Sequence, residues 1–344
     1  MGRGRSLRLG ACVALAGVLV AAAGCTNRSQ DAQGADMSPR ARTYLSKALG
    51  IMEEHSLLRD RVDWGKVRST AFSQAGGAQE PADTYGAIRV AVRSLGDGHS
   101  VFWEPAEAKE QLGSRSDALE DVRGRSLEGG LGYVSLPAVQ GSQATYDAYV
   151  RKGRAAVAKA DRGRACGWVV DLRSDRGGNM WPMLAVVGPV LGEGKAGMFV
   201  GADGERALWS IRRGSPYVDG RSMGWSGGSA VAASAPPVAV LTGRRTASAG
   251  EAVAVAFRGR QDTRSFGERT AGVPTGNKAH RLSDGAMLIV TEVRDADRTG
   301  QTYDAPIPPD EEIVKDPRPV ARDRDEVLQA AQKWLRKRAA CRRG

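Results

Sequence analysis

The sequence predicts an α/β fold, a layered core in which buried strands alternate with helices. Three short apolar runs, Leu131 to Leu136, Gly167 to Leu172 and Pro237 to Leu241, have the length and β-branched content of buried strands. The last two are followed by turns of small residues and then by stretches of helical period, the order expected of a strand–helix layer. Composition agrees, because 41% hydrophobic and 26% charged residues in 344 are ordinary for a globular chain of about two units. With 44 glycines and only 6% aromatics, the core is expected to be built from Val, Ala and Leu around many tight turns.

The chain begins with an address. Met1 to Arg8 is basic, Leu9 to Ala23 is an uncharged apolar run of fifteen residues, and small residues lead to Cys25. This is the pattern of a secretory signal over 1–24, and the run is shorter than the ~20 residues a spanning helix needs. A Cys at the cleavage point resembles the bacterial lipobox, which implies acylation of Cys25 and a lipid anchor at the outer face of the membrane. The other reading is a plain secreted protein. Residues 25–37 are small and polar and read as a flexible tether.

Ser38-Pro39 is an N-cap followed by Pro at the first helical turn, and Ala41, Leu45, Ala48, Leu49 and Met52 keep the helical period. A second helix is expected from about Ala82 to Leu95, stopped by Gly96. These two make a small N-terminal helical subdomain, 38–95. An α/β core is expected over 96–318, with a strand at Leu131 to Leu136, a helix at Tyr146 to Ala160 and a strand at Gly167 to Leu172. A helix through Leu184, Val187 and Val190 follows, then the Pro237 to Leu241 strand and a helix from about Ser248 to Arg260. Strands at Arg264 to Gly267 and Met287 to Val290 complete it. A last helix, Arg322 to Arg338, starts acidic and ends basic, as the helix dipole favours, within a basic C-terminal segment 319–344.

Net charge is +11, but three arginines before residue 9 and six basic residues from Lys333 onward carry most of it. The body of the chain is therefore not a nucleic-acid-binding surface, which needs Lys and Arg gathered on one face. Of four cysteines, Cys12 leaves with the signal and Cys25 is the acylation candidate. Cys166 reads as a small buried hydrophobe or as the partner of Cys341 in a disulfide; spacing does not choose. With three histidines and no Cys/His pair at zinc spacing, the sequence predicts no metal site and no organic cofactor.

Three segments bear on chemistry. Thr246-Ala247-Ser248-Ala249-Gly250-Glu251 puts a Ser on a strand-to-helix turn, where free N–H groups favour negative charge. It is equally the pattern of a capping box. Gly96-Asp97-Gly98-His99-Ser100 sets a His in a Gly-rich turn, as a general base or as a solvated turn residue. Asp171-Leu172-Arg173-Ser174-Asp175-Arg176-Gly177-Gly178 is either an anion-holding nest of N–H groups or an ordinary turn. A nucleophile, a base and an oxyanion nest are together what acyl transfer requires.

These motifs, with Asp63-Trp64, Phe266 to Gly272 and Pro309-Asp310, occur in the order of the tail-specific or C-terminal processing serine protease family. The chain resembles the branch similar to the core of tricorn protease, over about residues 40–315. The resemblance implies a crotonase-like core of ββα units and a serine peptidase acting on peptide or protein substrates without a cofactor. It makes Ser248 the nucleophile and His99 the base, with Asp304 orienting His99. The N–H groups of Ala249 and of Gly177 or Gly178 would form the oxyanion hole. Departures narrow it. Val273 stands where the better-known branch has its Lys base, with Lys278 out of register; Gly98 replaces a Ser; Asp175 replaces the usual Asn. The twenty-four residues between Glu104 and Gly129 fall short of the ~40 a free-standing domain needs, so no PDZ domain is expected. The alternative is a non-catalytic binding lipoprotein on the same fold. Nothing in the sequence sets the oligomeric state.

Overall fold

A computed structural model describes residues 37–112, 121–226, 231, 235–313 and 325–342. Cys25 and the signal segment lie outside the described residues. Three helices open the chain: α1 (Pro39–His55), α2 (Trp64–Gln74) and α3 (Tyr85–Ser94). Ser38 caps α1 by accepting the Ala41 N–H, as its sequence position predicts. The chain then passes through β1 (Val101–Trp103), α4 (Pro105–Leu112), β2 (Arg123–Leu127), β3 (Leu131–Ser135), α5 (Gln143–Ala160), β4 (Gly167–Asp171) and α6 (Met180–Leu191). Four strands follow: β5 (Gly194–Gly201), β6 (Arg206–Arg212), β7 (Ser215–Val218) and β8 (Arg221–Ser222). The rest is β9 (Val238–Thr242), α7 (Ala249–Phe257), β10 (Thr263–Gly267), β11 (Thr275–Arg281), β12 (Met287–Asp297), β13 (Glu311–Glu312) and α8 (Glu326–Arg336).

The strands form two sheets. One has the order β13-β10-β9-β4-β3-β2, parallel from β13 to β3 and closed at its edge by the antiparallel β2. Its central strands β4 and β9 are buried at every residue, as a parallel sheet covered on both faces requires. Alternation decides which residue faces which layer. Trp168 and Val170 point to the layer of α5, α6 and α7, whereas Val169 points to α8 with Ala239, Leu241 and Phe266.

The other sheet runs β1-β12-β5-β6-β7-β8, with β11 also on β12. Trp209 of β6 and Ala196 of β5 join the same core as α6 and α7. The N-terminal helices close on this sheet, since Ala41, Leu45, Ile88 and Ala91 share a core with Phe102, Leu288 and Val290. Asp284 ties them further by accepting the hydroxyls of Tyr44 and Tyr85, at 2.9 and 2.6 Å.

Cys166 is half-buried and joined to Cys341 in a disulfide with a Cα–Cα distance of 5.1 Å. The bond links the entrance of β4 to the chain just past α8. The helix there is shorter than the sequence pattern suggests, Glu326–Arg336, and is capped by Asp325 through the Leu328 N–H. Among the described residues no helix is long and apolar enough to cross a membrane.

Candidate active site

Buried strand β9 ends at Thr242, and the turn that follows is bolted to the loop after β4. The Thr246 hydroxyl donates to Leu172 O at 2.8 Å, and the Ala247 N–H donates to Asp175 O at 3.0 Å. Ser248 is thereby held at the N-terminus of α7 with φ 51° and ψ −115°. A non-glycine residue there is strained, and such strain persists only where its surroundings enforce it. The Ser248 N–H donates to Glu251 Oε2 at 2.9 Å, so the carboxylate half of the predicted capping pattern is present. Ser248 is half-buried while every residue of α7 is buried.

Gly177 and Gly178 both have positive φ (105° and 108°), and Gly177 lies against this turn. A Cβ on Gly177 would sit 2.9 Å from Ser248 Cβ and 3.4 Å from Ala249 N, so only glycine permits the approach. Gly178 packs instead on Val139, where a Cβ would reach 2.0 Å from Val139 O. The two differ in what their N–H groups do. Gly177 N–H donates to Asp175 Oδ1 at 2.9 Å. Gly178 is exposed, and its N–H has no acceptor among the described residues. Asp175 itself is fully buried, and burial pushes its carboxyl up to about 8 against the opposing effect of the Gly177 bond. Its Oδ2 has no hydrogen-bond partner among the described residues.

His99 sits in the turn between α3 and β1. Asp97 builds that turn, Oδ1 accepting the N–H groups of His99 and Ser100 at 2.8 and 2.7 Å and Oδ2 the Ser100 hydroxyl at 2.6 Å. His99 Nδ1 lies 2.7 Å from the Thr275 hydroxyl at the start of β11. Burial holds the imidazole below its ordinary pKa, with Asp97 pulling weakly the other way.

A single buried carboxylate joins the two halves. Glu251 accepts the Ser248 N–H, the Thr270 hydroxyl and the N–H groups of Gly272 and Val273. The Thr275 N–H then bonds Val273 O at 2.8 Å, two residues further along the loop. Ser248 is thus connected to His99 through Glu251, the 270–273 loop and Thr275. Burial raises the Glu251 carboxyl despite these four donors. The neighbouring Asp295 is fully buried with neither carboxylate oxygen hydrogen-bonded among the described residues, and burial drives its carboxyl well above the usual range.

Not every expected residue arrives at the site. Asp304 is exposed, and the group on His99 Nδ1 is the Thr275 hydroxyl, so the predicted carboxylate partner is corrected to Thr275. Asp304 lies on the irregular stretch after β12, beside Tyr303, whose hydroxyl donates to Asp297 Oδ2 and whose N–H donates to Asp295 O. Lys278 is 64% exposed and pairs with Glu292, outside this network. Thr275 and the reach of Glu251 went unread because both contacts depend on how the 270–275 loop folds back. The nearest sequence signal was the end of the Phe266 to Gly272 motif and the three residues that follow it, Val273 to Thr275.

Comparison with known proteins agrees with this architecture. A nisin-resistance protein of Lactococcus lactis subsp. lactis is 26% identical over 273 residues, 79% of this chain and 83% of that one. A lipoprotein from Streptococcus agalactiae has the same fold, with a TM-score of 0.71 at 22% identity over 87% of this chain and 97% of that one. So does the photosystem II D1 C-terminal processing protease, with a TM-score of 0.58 at 19% identity over 80% and 93%. Residues 130–313, more than half of the chain, match the model of peptidase family S41, and the chain belongs to that family.

Proposed function

We propose that the chain is a serine peptidase in which Ser248 attacks the scissile carbonyl and His99 accepts its proton. The observation that carries this reading is the conformation of Ser248, strained at the start of a buried helix with Gly177 packed on its Cβ. A cap alone has no need of that strain, whereas a nucleophile does, because the strain lifts its hydroxyl clear of the sheet.

In this mechanism His99 donates Nδ1–H to Thr275, which leaves Nε2 as the base. The lowered pKa keeps the ring neutral at pH 7. The Ala249 N–H, at the positive end of α7, and the uncommitted Gly178 N–H take the tetrahedral oxyanion. Each such donor lowers the barrier by ~3 kcal/mol. Gly177 then shapes the hole through its contact with Ser248. His99 returns its proton to the leaving amine, and water repeats the sequence on the acyl-enzyme.

The parallel sheet with its helices supports a crotonase-like ββα core, and the signal pattern supports an extracytoplasmic protein anchored through acylated Cys25. The relative named for nisin resistance makes nisin a natural member of the test set. Cleavage of nisin and of a peptide library with free or amidated C-termini, followed by mass spectrometry, tests the proposal. Turnover by the wild type is expected, with a loss of at least about 10³-fold in Ser248→Ala and His99→Ala. Turnover unchanged by Ser248→Ala contradicts it. Peptide-dependent thermal stabilisation with no cleavage by the wild type would make the protein a carrier.

A further inference from the structure

Two of the three histidines take no part in the site above. His55 is the last residue of α1 and His280 lies on β11. Their rings stack, with centroids 4.7 Å apart and planes inclined by 28°. Both present a nitrogen to one carboxylate: His280 Nε2 is 2.6 Å, and His55 Nδ1 3.9 Å, from Glu292 Oε1. One ligand atom from each of the three residues lies within 4.8 Å of the others. The register explains how Glu292 comes to face them. Gly276 pairs with Val293 and the next residue, Asn277, with Thr291, so Glu292 is the extra residue of a β-bulge. Bulges re-aim a side chain out of the strand's alternation.

We propose that His55, His280 and Glu292 form a binding site for a divalent transition-metal ion, with Zn2+ the best fit. Two imidazole nitrogens and one carboxylate are a zinc donor set, and each bonds the ion at ~2.0–2.2 Å. The hard ions Mg2+ and Ca2+ prefer oxygen alone. A hydrogen-bonded pair satisfies His280 but leaves His55 Nδ1 beyond bonding range of the shared oxygen; an ion seated among the three atoms bonds all of them. The side chains are 31%, 14% and 19% exposed, which leaves an entry path, and three protein ligands leave a tetrahedral ion its fourth position. The remaining charges nearby suit this arrangement. Glu54 Oε2 lies 3.8 Å from His55 Nε2, near enough to favour the tautomer that carries its hydrogen on Nε2 and leaves the Nδ1 lone pair free for the ion. Lys278 Nζ lies 3.9 Å from Glu292 Oε2, the oxygen the ion does not need. Metal binding would tie the end of α1 to the β11–β12 hairpin, on the strand that begins with Thr275. No ligand-spacing motif announces such a site, since its members come from positions 55, 280 and 292.

Calorimetric titration of the tag-free, disulfide-bonded chain with Zn2+ tests the proposal without reference to peptidase activity. One saturable site per chain is expected, retained in His99→Ala. In His55→Ala, His280→Ala and Glu292→Gln the affinity should fall by more than the roughly 10–100-fold that losing an outer-shell partner costs. Zn2+ should also raise the thermal midpoint of the wild type but not of Glu292→Gln, a near-isosteric change that keeps the bulge. Absence of saturable binding by the wild type overturns the proposal. So does an affinity that survives both His55→Ala and Glu292→Gln.

Discussion

Burial acts in opposite senses on His99 and Asp175. It lowers the His99 pKa, so the acid limb of kcat/KM is expected to have its midpoint below 6.5, the ordinary imidazole value. It raises Asp175 to about 8, so that carboxyl is neutral at pH 7 and ionises behind Gly177 as the medium turns alkaline. A negative charge there opposes an oxyanion, and kcat/KM is expected to fall above about pH 8 in the wild type. Asp175→Asn keeps the oxygen that accepts the Gly177 N–H and should remove that alkaline limb. Stability follows the same group. A folded pKa above the unfolded value of ~3.9 means that stability is fully present below ~3.9 and is lost as pH rises through about 8. The melting temperature of Asp175→Asn relative to wild type should therefore climb between those limits and level off beyond them. A constant difference across the range contradicts this assignment. The family resemblance implies an Asn at position 175, but the sign of the effect required knowing that Asp175 is fully buried.

At the scale of elements, Glu251 fastens α7 to the loop leading into β11. Glu251→Ala would strand four donors, three of them on the loop that positions Thr275. An unsatisfied buried donor costs about 1–3 kcal/mol, so a loss of ~3 kcal/mol or more in urea unfolding is expected. kcat should drop through misplacement of His99, with KM changed less. Unaltered stability and kcat would show that the loop is held by something else. Elements with a strong local signature were legible: Ser38-Pro39 at α1, the buried runs of β4 and β9, and the strand–turn–helix around Ser248. The pattern placed α3 from Ala82, whereas Pro81–Thr84 forms a 3-10 turn and α3 starts at Tyr85. Helix α2 buries only Val67 and Ala71, too few to show a period. Strand β12 extends to Asp297 rather than Val290, because the bulge at Glu292 breaks its alternation. Strands β5 and β6 were missed for a packing reason: Gly197, a poor strand former, makes room for Trp209, which a Cβ would meet at 2.7 Å.

Across the whole molecule, the Cys166–Cys341 bond spans 175 positions and pins α8 over β4 and β9. Cys341→Ser, or reduction, should cost ~2–4 kcal/mol through the freedom regained by the unfolded chain. Calorimetry under oxidising and reducing conditions measures this, and equal melting temperatures would contradict it. The bond was one of two open readings of Cys166, because the sequence does not say whether α8 returns to the entrance of β4. Distance in sequence also hid the group beside His99, since Thr275 lies 176 positions away. The same long reach underlies the central claim, that Ser248 and His99 work across one cleft. Labelling with a fluorophosphonate, followed by peptide mapping, tests it most directly. One adduct per chain on Ser248 is expected, forming at least about 10²-fold more slowly in His99→Ala. An adduct elsewhere, or a rate indifferent to His99, would contradict the account.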